Sequence, residues 1–162
     1  LGRELFALTL LGLTVWLLRY DIARRTVRQR GLTRFIAVSL LAAYGWLAVG
    51  AVIGLFSGGM FAGPAYDATL HSVFLGFVFS MVFGHAPIIF PAVTRLAMRY
   101  HPVFYLHLLL LHLSLGARVV ADLGGWGGLR INAGLVNAGA IILFLLNTII
   151  AIARARRHAP VH

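Results

Sequence analysis

Histidines set inside apolar sequence are the residues of this chain best suited to chemistry. From Tyr66 the chain reads YDATLHSVFLGFVFSMVFGHAPIIFP and, after a short basic stretch, HPVFYLHLLLLHLSLGARVVADL. Asp67, His71, His85, His101, His107, His112, Arg118 and Asp122 all fall there. Imidazole suits iron and copper, and ionisable groups within a membrane span are costly enough to be functional candidates by default. The remaining histidines, His158 and His162, lie in a basic tail and read as solvated.

Spacing sorts these residues. His71 and His85 are fourteen residues apart, roughly 40° short of four helical turns and about 21 Å along the axis. They share a face, His71 in the outer half of a span and His85 in the inner half. On the following helix His107, Ser114 and Arg118 share one face, and His101, Tyr105 and His112 another, rotated by about 140°. Counting from the span centres puts His85 about 9 Å and His107 about 7.5 Å to the same side of the midplane. That match predicts a shared site, with His85 and His107 ligating a haem iron from opposite sides or forming part of a copper site. His112, near the midplane, is expected to be an auxiliary ligand or to face another helix. His71 is expected to serve a separate outer site completed by a partner chain.

Neighbouring residues bear on that site. Gly84 leaves room for a flat ring or for another helix. Pro87 either kinks the helix beside His85 or, with Pro91, helps to end it. Arg118 and Asp122, at i and i+4, read as a structural ion pair. The competing reading of the histidines is packing and hydrogen bonding without a ligand.

The elements that must carry these residues are transmembrane helices. Of 162 residues 60% are hydrophobic and 11% charged, against about half and a quarter in soluble domains. A domain of this size cannot bury that excess, so the expected surroundings are a lipid bilayer. Five apolar stretches, roughly 4–18, 35–56, 68–90, 103–121 and 133–153, approach the length of a span. No sustained alternation suggests a barrel. The expected fold is an all-α polytopic bundle forming one transmembrane domain. The chain opens on Leu1, which suggests processing or a partial chain, and residues 3–20 lack a signal-peptide cleavage pattern.

Charge sets the expected orientation. The net charge is +10 and every basic residue is Arg. The arginines lie in blocks, at 19–34, 95–99 and 154–157, which argues against nucleic acid as the partner. Basic loops stay cytoplasmic, so five spans place the N-terminus outside and the C-terminus inside a prokaryotic inner membrane. Gly50 and Gly54 form a GxxxG, and Gly134, Asn137 and Ala138 a small polar stripe, both suited to close helix contact. From these we expect assembly with other membrane subunits. Asn137 and Asn147 read as packing glue. Cysteine is absent, which excludes thiol chemistry, and nothing resembles a P-loop, a nucleophile elbow or a zinc-protease helix.

Two resemblances rest on these residues. The His71–x13–His85 spacing resembles that of the diheme cytochrome b of quinol-oxidising complexes, which carries an equivalent pair on a second helix; here His107 and His112 are five apart. More broadly, over roughly residues 66–150, a His before a Gly/Phe/Met-rich helix, then GHAP, a basic loop and a helix ending in Arg-Val is similar to the NnrS family. Those are longer membrane proteins with haem and copper, associated with nitric-oxide metabolism and distantly similar to haem–copper oxidase catalytic subunits. The resemblance implies that His71 and His85 are the motif histidines and Arg118 the arginine of the following helix.

The functional expectation is a membrane protein that binds haem b, or copper, in electron transfer or nitrogen-oxide/oxygen chemistry. The alternative is a non-catalytic small subunit of a larger respiratory or photosynthetic complex that contributes a His to a pigment such as chlorophyll.

Overall fold

The computed structural model describes residues 2–57 and 62–157; Gly59, His158 and His162 lie outside the described residues. Every described element is helical. α1 covers Gly2–Tyr20, α2 Ala23–Thr26 and α3 Gly31–Phe56. α4, Pro64–His71, runs on through a π-helical segment, Ser72–Phe79, into α5, Ser80–Thr94. α6 spans Phe104–Gly124 and α7 Gly127–Arg157.

Local chemistry explains the breaks. Asp21 accepts the Ala23 N–H at 2.6 Å and the Tyr44 hydroxyl at 2.8 Å, so one carboxylate starts α2 and ties the α1–α3 turn to α3. Gly63 has φ 107°, and Pro64 supplies the pre-set φ of a first helical residue. Gly125, at φ 72°, ends α6, and the Trp126 N–H returns to the Ala121 carbonyl. Pro87 and Pro91 do not end α5, which continues through both to Thr94.

Four helical stretches are long and apolar enough to cross a membrane: Gly31–Phe56, Pro64–Thr94, Phe104–Gly124 and Gly127–Ala155. The chain is therefore an all-α protein of multi-pass membrane type. The first expected span is helical but falls short. Its apolar run, Leu5–Leu18, covers about 21 Å, and the hydrocarbon core is about 30 Å thick.

α3 is the hub. It packs against α1, α2, α4, the π segment and α5, while α6 lies along α7 and touches α4. Small residues set these approaches. Ala68, Ser72, Gly76 and Ser80 form a buried row at intervals of four. A regular α-helix would rotate such a row by about 40° per step; the π segment adjusts the winding there. A side chain at Gly76 would run into Trp46, and a Cβ at Gly84 would sit 2.9 Å from that of Ser39. The room beside Gly84 is thus filled by α3, not by a flat ring. The GxxxG is also occupied within the chain: Gly50 faces Ser72 and Val73, and Gly54 faces Ala7 and Thr69.

Candidate intramembrane histidine site

Hydrogen-bond partners divide the span histidines into two kinds. His71 Nδ1 lies 2.7 Å from the Asp67 carbonyl oxygen, and His85 Nδ1 lies 2.8 Å from that of Met81. A carbonyl oxygen only accepts, so Nδ1 carries the proton in each neutral ring. The Nε2 lone pair is left available, which is the arrangement of a metal-ligating histidine with its second nitrogen held by a carbonyl.

Both rings are half-buried. His71, Phe74, Val78, Val82, His85 and Ile89 follow one another at three- and four-residue intervals, and the four apolar members of the row are exposed. The expected common face is therefore an outward-facing row of the Pro64–Thr94 helix. The π segment, a distortion frequent at functional sites, lies between the two rings.

His107 and His112 have the opposite arrangement. Trp46 donates its indole N–H to His112 Nδ1 at 2.9 Å, and the two rings are stacked within 16° of parallel. Indole is a donor only, so the His112 proton sits on Nε2 and no lone pair remains. Of the two roles expected for His112, the structure shows it facing another helix.

His107 is 1% exposed. It is enclosed by Phe35, Phe83, Phe104 and Phe144 at ring distances of 4.8–6.2 Å. Asn147 Nδ2 lies 3.2 Å from its Nδ1. The ring facing His107 from α5 is Phe83. His85, two residues further, is turned about 200° away around the helix. His85 and His107 thus face different ways, and the structure does not bring the two rings together as the expected shared site requires. Among the described residues, no three of His, Asp and Glu are grouped to hold a metal.

α6 and α7 meet along a polar seam. The Ser114 hydroxyl donates to Asn137 Oδ1 at 2.6 Å. Further along, Arg118 Nε pairs with Asp122 at 3.1 Å, as the i,i+4 spacing predicts. Arg130 Nε reaches Asp122 at 3.0 Å, and its Nη2 pairs with Asp67. Arg118 Nη1 also donates to the Arg130 carbonyl at 3.3 Å. Two arginines and two carboxylates thus tie α4, α6 and α7 together without net charge. The Asp122 carboxylate is fully buried, which explains why two cations converge on it.

The structure adds two residues that sequence reasoning left aside, Trp46 and Arg130, and gives Asn147, expected as packing glue, a specific partner. Trp46 and Asn147 are the polar partners of His112 and His107, and Arg130 completes the ion cluster. Depth matching could have found Asn147, since antiparallel packing brings it level with His107. The Trp46 contact gave no such signal, because it depends on how α3 is rotated.

Recesses lie at the arginine-rich end. One, of ≈ 710 Å³, lies at the α1–α2 turn against Arg19, Asp21, Arg24, Arg25 and Arg28. Another, of ≈ 350 Å³, lies between the start of α6 and the end of α7. Tyr100, on its rim, has its phenol pushed above the usual value, first by burial and then by Tyr105.

No curated protein and no solved structure matches this chain. Residues 1–153 match the family described as a domain of unknown function, DUF8744, and the chain belongs to that family.

Proposed function

We propose that this chain supplies histidine ligands, His71 and His85, to haem or copper held against the outward face of the Pro64–Thr94 helix. One observation carries the reading. Both rings donate Nδ1–H to a carbonyl one turn back, which leaves Nε2 as a lone-pair donor. The residues at that face fit such a group: imidazole nitrogen suits both metals, and the flanking side chains are apolar.

Haem b or copper bound there would supply one-electron chemistry. The chain's own part is to fix the two rings at separate depths along one helix and to flank them with Phe74, Val78 and Val82. Only one nitrogen is offered at each level, so other membrane subunits complete the coordination. The resemblance to the NnrS family favours electron transfer linked to nitrogen-oxide or oxygen chemistry.

The same reading places the chain in a prokaryotic inner membrane. Its basic ends face the cytoplasm, and α1, whose 19 residues cover about 28 Å when the polar ends that flank its apolar run are included, acts as a fifth span with the N-terminus outside. Iron and copper analysis of protein purified from native membranes tests the proposal. Iron or copper in stoichiometric amount is expected; neither metal above background would overturn it. A pigment such as chlorophyll would use the same free Nε2, and its absorption would identify it.

A further inference from the structure

The cavity between α6 and α7 is independent of the histidine row. One part of its wall is cationic and polar, with Arg99, His101 and Arg154; another is apolar, with Val103, Phe104 and Ile150. Val103 donates its N–H to His101 Nδ1 at 3.2 Å. The proton of that exposed imidazole therefore sits on Nε2, where it can donate to an anion.

Ile150 and Val103 are exposed beside the cavity, so its apolar part continues onto the flank of helices long enough to cross a membrane. The arrangement calls for an amphiphile with a negative head and a hydrocarbon body. Free phosphate would satisfy only the cationic part. A zwitterionic lipid would bring a second cation toward Arg99 and Arg154. Basic pockets between transmembrane helices are suited to anionic head groups. At ≈ 350 Å³ the cavity has space for a head group and not for a whole lipid.

We propose that this cavity binds the head group of an anionic phospholipid, its phosphate against Arg99, His101 and Arg154 and its acyl chains along the α6–α7 flank. Asn147 also lines the cavity, and its amide reaches His107. An occupied cavity would thus press on the polar seam that joins the two helices and brace it.

The test uses the full chain in mild detergent. Native mass spectrometry measures retention of phosphatidylglycerol, phosphatidylcholine or inorganic phosphate, each added separately, and thermal unfolding is followed in parallel. Retention of phosphatidylglycerol at least tenfold above phosphatidylcholine is expected, with a raised unfolding temperature. Arg99→Gln combined with Arg154→Gln should remove that preference. Arg24→Gln combined with Arg25→Gln, at the basic recess of the α1–α2 turn, should preserve it. His101→Gln, on an exposed position, provides a milder variant if the double change does not fold, and it should reduce the preference severalfold. Equal retention of the two lipids, an equal stabilisation by phosphate alone, or loss of the preference only in the Arg24/Arg25 variant would overturn the proposal.

Discussion

Trp46 donates its indole N–H to His112 Nδ1 at 2.9 Å, joining α3 to α6 across the middle of the bundle. The bond fixes the His112 tautomer and removes the ring from the set of possible ligands. Trp46→Phe should leave that nitrogen unpaired in the interior, at a cost of about 1–3 kcal/mol. A lower thermal midpoint in detergent would register the loss. An unchanged midpoint would show that the bond contributes nothing.

The ion cluster gives a graded prediction. Asp122→Ala leaves Arg118 and Arg130 facing each other around a buried site, which should cost about 3–5 kcal/mol. Asp67→Asn breaks a pair whose side chains are each about one-third exposed, which should cost about 0–1 kcal/mol. Denaturant titration of both variants checks the ranking.

Glycine packing predicts effects on the monomer. The GxxxG face was expected to join separate chains, but Gly50 already meets Val73 and Ser72, and Gly54 meets Ala7. Gly50→Leu should destabilise the chain itself, seen as a lower unfolding temperature. A change confined to the oligomer size on gel filtration would contradict this.

Topology is tested by labelling single cysteines. Gly128, where an added side chain meets open space, should react from outside the cell, and Gln29 should not. Gly125 is a poorer position because its φ of 72° strains any L residue. Reaction of Gln29 from outside would overturn the proposed orientation.

The helical character and the long apolar stretches were legible because hydropathy reports burial in lipid directly. α1 was not fully legible: Arg3, Glu4 and Arg19 shorten its apolar run below that of its neighbours. At the site, i,i+4 spacing correctly joined Arg118 to Asp122. Depth matching then placed His85 and His107 at similar levels, but depth says nothing about rotation. The side of α5 that faces α6 is set by Gly84 packing on Ser39 and by Phe83 packing on His107. Those contacts turn His85 outward. Likewise, no spacing rule reveals which ring nitrogen is already engaged; that required Trp46, Asn147 and the carbonyls of Asp67 and Met81.

The central claim is that His71 and His85, and not His107 or His112, offer a ligand nitrogen. Reduced-minus-oxidised absorption spectra of protein from native membranes test it most directly, with copper content measured alongside. His71→Ala and His85→Ala should each remove part or all of the redox-active signal or of the bound metal. His112→Gln should retain both, and His107→Gln should lower stability while retaining the signal in the folded fraction. Loss of the signal in the folded His107 or His112 variants, with full retention in His71→Ala and His85→Ala, would contradict the account.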